Sequence, residues 1–226
     1  METIIYSVNI GGYDEFKEPK KIDKSVRYIL FTDNKYYKSK IWEVNHIDSF
    51  KHLGDNRKIS RFIKINPHLI LPNHTFNLWV DHCFHIEIDN FDDLIEKNNF
   101  SKKQIMLYKH DFRDCIYDES QAVIKQKLDD ESVVLSQIKK YKSENFPKKN
   151  GLYSTGFMLR NNNEIVSTFN ETWWNEVKTF SGRDQLSQVY SSWKTNLKID
   201  SFILGKSVYS TPYLSPKIKH LKKFTI

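Results

Sequence analysis

Short apolar runs broken by polar turns alternate with stretches whose apolar residues recur every three or four positions. Residues 4–10 form a first apolar run and read as a buried strand, followed at once by Gly11-Gly12-Tyr13-Asp14. Residues 26–31 give a second strand that ends in Thr32-Asp33-Asn34, and residues 41–44 a short third. The period then changes. Over residues 56–66, Ile59, Phe62 and Ile63 share one helical face, Arg57, Arg61 and Lys64 share the opposite one, and Pro67 closes the segment. Residues 76–80 are an apolar strand that stops abruptly at Asp81. A peripheral helix over 94–99 and a strand over 104–108 follow, then helices over 119–128 and 129–141, the latter with Val134, Ile138 and Tyr141 inward. Residues 152–160 read as a strand with Gly156 inside it, which marks a bulge or a close approach. Val166, Phe169, Trp173, Val177 and Phe180 make a long helical stripe with Trp174 at its edge. Ser181-Gly182-Arg183-Asp184-Gln185 opens a last helix whose apolar face is Leu186, Val189, Tyr190 and Trp193. Strands alternating with helices predict an α/β architecture, a mixed, mainly parallel sheet flanked by helices, in a single domain spanning residues 1–226.

Composition narrows this picture. Aromatic residues make up 14% of the 226, enough to fill a core, and charged residues are spread along the chain, so disorder is not expected. The net charge of +7 points to an anionic partner: a phosphorylated small molecule, nucleic acid or an anionic membrane surface. No nucleic-acid module is recognisable, and acids interrupt the bases, so nucleic acid is not the expected partner. The two cysteines, Cys83 and Cys115, form no disulfide framework. The N-terminal residues lack the pattern of a signal peptide, and no window is apolar for the length of a membrane span. A soluble, cytoplasmic protein is expected, with its basic residues 217–223 offering a peripheral contact to an anionic membrane.

Several groups stand where chemistry is usually built. Asp81 ends a buried strand, and open α/β sheets bind ligands outside the carboxyl ends of their strands. The alternative is an aspartate that starts a turn. Arg57, Arg61 and Lys64 lie in a row without an interleaved acid and repel one another by a few tenths of a kcal/mol per pair. Such a row is either a solvated face or a set of phosphate contacts. His82, Cys83 and His85 invite a metal reading. Extended geometry would put Asp81, Cys83 and His85 on one side, but no second cluster completes a zinc site. A hard cation held by Asp81 and substrate phosphates fits better. Ser181 and Asp184 have capping-box spacing, so Asp184 is either a helix-start device or a site residue.

Read together, these segments resemble a known family. Gly11-Gly12-Tyr13-Asp14 with Lys17-Glu18-Pro19, Tyr28-Ile29-Leu30-Phe31-Thr32-Asp33, and Arg57-x-x-Ser60-Arg61-Phe62-x-Lys64-x-x-Pro67-His68 come first. Trp79-Val80-Asp81, His110-x-x-Arg113-Asp114-Cys115-Ile116-Tyr117-x-Glu119, Gly151-Leu152-Tyr153-Ser154-Thr155-Gly156, Trp173-Trp174-x-Glu176 and Arg183-Asp184-Gln185 follow in order over nearly the whole chain. They resemble the glycosyltransferase-like family that includes the plant TOD and MUCI proteins and short bacterial, capsule-type relatives. The resemblance implies a GT-A-like, Rossmann-like fold. It implies hexosyl transfer from a nucleotide sugar, UDP-linked, to a glycan or lipid-linked acceptor, as in surface polysaccharide synthesis. Gly11, Gly12, Tyr13 and Asp33 would then border the nucleotide, and Arg57, Arg61 and Lys64 would face the diphosphate. Asp81 would stand at the first position of an Asp-x-Asp metal motif whose third position here is Cys83. Mn²⁺ or Mg²⁺ would be held by Asp81 with His85 or His220. His110, Arg113, Trp174, Arg183 and Gln185 would line the sugar or acceptor pocket. Asp184, placed like the Asp-Gln element of glycogenin-like transferases, and Asp114 would be the catalytic carboxylates. Against this stand a non-catalytic nucleotide- or glycan-binding module on the same fold and a polyanion-binding protein.

Overall fold

The computed structural model describes residues 2–215 of the chain. The basic stretch 217–223, with His220, lies outside the described residues. In chain order the elements are β1 (Thr3–Asn9), β2 (Val26–Thr32), β3 (Glu43–His46), α1 (Asn56–Ile65), α2 (Pro67–Ile70), β4 (Phe76–Val80), β5 (His85–Ile86) and α3 (Phe91–Lys97). They continue with β6 (Ile105–Lys109), α4 (Ile116–Lys125), α5 (Glu131–Ser143), β7 (Tyr153–Asn161), α6 (Glu164–Thr179), α7 (Gln185–Lys194), β8 (Ile199–Ser201) and β9 (Leu214–Ser215).

Seven strands form one sheet in the order β3-β2-β1-β4-β7-β6-β8. The block β3-β2-β1-β4 is parallel throughout, and β8 is parallel to β6. Between them β7 runs antiparallel to both of its neighbours. This is the expected α/β arrangement of a mixed, mainly parallel sheet flanked by helices. Strand alternation sorts the core onto two faces. Ile4, Tyr6, Val8, Trp79, Leu107 and Met158 join the apolar sides of α1 and α4 to α7 on one face. Ile5, Leu30, Leu78, Val80, Met106 and Phe157 on the other meet α3 and the segment around Phe202 and Tyr213.

Several element boundaries differ from the periodic pattern; helix α3, for one, starts at Phe91 and not at residue 94. The edge strand β3 starts at Glu43, two residues later than expected, because its side chains are mostly exposed and carry little apolar signal. Helix α4 starts at Ile116 and not at Glu119. Ile116 is buried, and the Glu119 carboxylate is spent inside the helix on an ion pair with Arg113 at 2.5 Å.

Candidate functional site

The parallel strands β1, β2 and β4 all point their carboxyl ends at one edge of the sheet, and β7, running the other way, begins there. A cavity of about 630 Å³ lies at this edge, a size ordinary for a small-molecule site. Its wall includes Tyr13, Arg57, Arg61, Lys64, Asp81, Arg183, Asp184 and Gln185 among the residues singled out from the sequence.

Helix α1 supplies the cations. Asp55 caps it by accepting a hydrogen bond from Lys58 N, and Ile59 and Ile63 anchor its apolar side in the core. The opposite side is not solvated. Arg57 pairs with Asp129 at 3.3 Å and donates to Leu128 O, in the connection between α4 and α5. Arg61 donates to Gly182 O and approaches Asp184 Oδ1 at 3.6 Å. Lys64 is only 1% exposed. Its ammonium lies 2.8 Å from Asp184 Oδ2, 2.9 Å from Thr155 Oγ1 and 3.4 Å from Asp81 Oδ1, so each of its donors has an acceptor. The face that pattern alone left between solvent and phosphate is thus pinned to four other segments.

The far end of α1 is held from beneath. Arg160 of β7 is fully buried and donates to Lys64 O and Ile65 O, the last helix carbonyls, and to Asn77 and Asn170. It also donates to the Tyr6 hydroxyl, which donates in turn to Lys64 O. Burial pushes the Tyr6 hydroxyl up to about 12, outweighing the nearby Arg160, so it stays neutral. All the acceptors of Arg160 here are neutral, and the negative end of the helix dipole is its natural partner.

Asp81 follows β4 directly. Its N–H donates to Gly156 O at 2.8 Å, and its Oδ1 accepts from Trp79 Nε1 at 2.7 Å. The absence of a side chain at Gly156 is what makes room for it: a Cβ there would sit 3.1 Å from Asp81 Oδ2. The close approach expected at this strand glycine is therefore that of a neighbouring carboxylate. Beyond Asp81 the chain does not stay extended, because Phe84 N bonds back to Asp81 O and closes a turn. The expected alignment of Asp81, Cys83 and His85 on one side is lost with it. Cys83 is buried in the core, and His82 is buried with its Nε2 accepting from Lys17 N. That bond leaves the proton on Nδ1, toward Ser7 Oγ at 3.2 Å. Burial first, and then Lys17 and His85, push the His82 ring down to about 3, so it is a neutral structural bridge.

Asp184 stands at the start of α7, but its side chain caps nothing. Its backbone carbonyl takes Trp173 Nε1, and its carboxylate accepts from Thr155 and faces Lys64 and Arg61. Burial alone would raise this carboxyl. The Arg61 and Lys64 charges, the Lys64 hydrogen bond and the Arg183 charge outweigh it and hold the group well below the usual carboxylate range. Arg183 lines the cavity with its Nε buried and without a partner in the protein.

Other expected residues stand apart from the cavity wall. Gly11 and Gly12 take positive φ, and Gly11 N donates to Asp33, so the glycine turn and Asp33 form one unit beside Tyr13. His110 accepts backbone N–H bonds from Phe112 and Arg113, and Arg113 is tied to Glu119. Trp174 packs edge-on against Phe62, and Asp114 is exposed. None of these four contributes to the wall of the cavity. His85 opens β5, also outside it. Among the described residues no three His, Cys, Asp or Glu side chains come together to hold a metal ion. Wall residues that sequence reasoning passed over include Thr155, Lys127 and Tyr209. Thr155 sits beside a flagged glycine, the one signal that could have found it.

Comparison with known proteins bears on the family of the chain. The family model described as TOD1/MUCI70, glycosyltransferase-like domain, matches residues 1–208. The probable hexosyltransferase MUCI70 of Arabidopsis thaliana is 22% identical over 211 residues, covering 81% of this chain and 36% of that protein. A solved apo structure of the WbbM bifunctional glycosyltransferase is similar with a TM-score of 0.49 at 9% identity, over 89% of this chain and 38% of that one. The chain thus spans little more than a third of the length of either relative. With the family model covering nearly its whole length, the chain belongs to the TOD1/MUCI70 glycosyltransferase-like family.

Proposed function

We propose that this protein transfers a hexosyl group from a nucleotide-sugar donor, UDP-linked, to a glycan or lipid-linked acceptor, as in surface polysaccharide synthesis. The observation that carries the reading is the cluster of Arg57, Arg61, Lys64 and Arg183 in one cavity at the carboxyl edge of the parallel strands. Glycosyl transfer expels a diphosphate, and cations fixed in place before the reaction stabilise that departing charge most effectively. The guanidinium groups carry N–H donors beyond those already bonded within the protein, and Arg183 Nε has no partner within it. Family membership supports the general class, and the unit of Gly11, Gly12, Asp33 and Tyr13 is suited to border the nucleotide.

Asp184 has a different part from that of a general base. A carboxylate held so far below its ordinary range has little affinity for an acceptor hydroxyl's proton. Its part is to fix Lys64 and Arg61. Asp81, 38% exposed at its side chain, is the better placed of the two to meet a ligand. The locked state of Asp184 also favours a second reading, a binding module on the same fold that holds a nucleotide sugar without turning it over. Calorimetry against UDP-, GDP- and CDP-sugars, followed by donor hydrolysis and transfer assays, separates the two. Binding with turnover supports transfer, and binding without it supports the module. A chain that binds none of the nucleotide sugars is neither.

A further inference from the structure

We propose that the Lys64 ammonium is a built-in cation standing where a transferase of this kind would place a divalent metal ion, so that the diphosphate is bound without metal. The proposal rests on the nucleotide-sugar reading above and concerns the same cavity.

A magnesium-type ion needs carboxylate oxygens free to coordinate it together with the phosphates. Each of the two candidates turns one oxygen on Lys64 instead, Asp184 through Oδ2 and Asp81 through Oδ1. Asp184 is 4% exposed at its side chain, with Lys64 and Thr155 on Oδ2 and Arg61 beside Oδ1, so neither oxygen is left for a metal. Asp81 Oδ1 already holds Trp79 Nε1 and Lys64. The ammonium is fixed as a bound ion would be: it is buried, bridges the two carboxylates and lies 5.5 Å from the centre of the Trp79 ring.

Charge matching points the same way. The cavity wall carries five cations (Arg57, Arg61, Lys64, Lys127, Arg183) and three carboxylates (Asp14, Asp81, Asp184). With Arg57 matched by Asp129 behind the wall, the balance is still positive and favours a diphosphate dianion without an added ion. Lys64 contributes its charge and holds the carboxylates down, while the arginines supply the direct hydrogen bonds.

The test is a calorimetric titration of UDP, GDP and CDP into the full chain, once with EDTA and once with Mn²⁺, alongside the EPR signal of free Mn²⁺. The expected result is nucleotide affinity that changes by less than about twofold between the two conditions, with no protein-dependent loss of the Mn²⁺ signal. In Lys64→Ala the two carboxylates lose their cation. That variant is expected to take up Mn²⁺ and to bind the nucleotide at least about tenfold more tightly with Mn²⁺ than with EDTA. The wild-type titration decides the matter even if the variant does not fold. Wild-type affinity that rises about tenfold or more with Mn²⁺ overturns the proposal and leaves the donor reading intact. Absence of nucleotide binding under both conditions overturns the donor reading, and the proposal with it.

Discussion

At the scale of single residues, Asp184 is where burial and charge compete most openly. Its folded pKa is depressed relative to the unfolded carboxyl, near 4. The stability it contributes is therefore complete above about pH 4 and is lost as the pH falls toward the folded value. Asp184→Asn removes that contribution, leaving Lys64 with Asp81 as its remaining carboxylate and Arg61 without the carboxylate beside it. It should cost about 3–5 kcal/mol at neutral pH and flatten the acid limb of stability. Urea midpoints from pH 6 down to pH 2.5 would show both effects, and a loss near 1 kcal/mol with an unchanged acid limb would contradict them. Gly156 tests the site more gently. In Gly156→Ala, crowding of Asp81 costs about 1–3 kcal/mol while the stiffer unfolded chain returns about 0.4–1. A net loss of about 1 kcal/mol is expected, with a several-fold drop in UDP affinity because Asp81 must shift. An unchanged affinity would mean that the Asp81 geometry does not matter to the ligand.

At the scale of elements, the site is a matter of how α1 is held. Arg160 cannot shed its charge, so β7 keeps a permanent cation beneath the helix. Arg160→Met leaves Asn77, Asn170 and the Ile65 carbonyl without the Arg160 donor and the Lys64 carbonyl with the Tyr6 hydroxyl in its place, at a cost of about 3 kcal/mol. Nucleotide binding should weaken as well, since the Lys64 carbonyl loses one of its two side-chain donors; chemical denaturation paired with UDP calorimetry reads both. The sequence made α1 legible because its period is clean over three turns, and its row of cations was visible for the same reason. Asp81 was legible from the abrupt end of an apolar strand. What pattern could not supply was the closure of the site. Thr155 meets Lys64 across 91 residues of chain and Arg61 meets Gly182 across 121, and nothing local in either sequence neighbourhood announces the other. His110 and Arg113 misled for the converse reason. A dense polar segment looks like a pocket, but here its charges satisfy one another and two nearby backbone N–H groups.

At the scale of the whole molecule, part of the +7 excess is gathered by the fold into one cavity wall. A ligand that binds only the folded state stabilises it by about 2.7 kcal/mol at a hundredfold excess over Kd. For a chain of this length that corresponds to a rise in melting temperature of about 5–10 °C. UDP should give such a rise in a thermal shift assay and uridine should not, because the cations answer to the phosphates. Among the described residues no helix is long and apolar enough to cross a membrane. The antiparallel strand between the two parallel blocks also bears on how the protein comes to exist. Until residues 153–161 leave the ribosome, β4 has an open edge and β6 has no strand to pair with, since both wait for β7. The same strand brings Thr155, Gly156 and Arg160, so the ligand cavity and the sheet's central seam are finished in one event. A nascent chain therefore passes through a stage in which its most apolar edges are exposed and its binding site does not yet exist, a stage at which chaperones, and not ligand, can protect it.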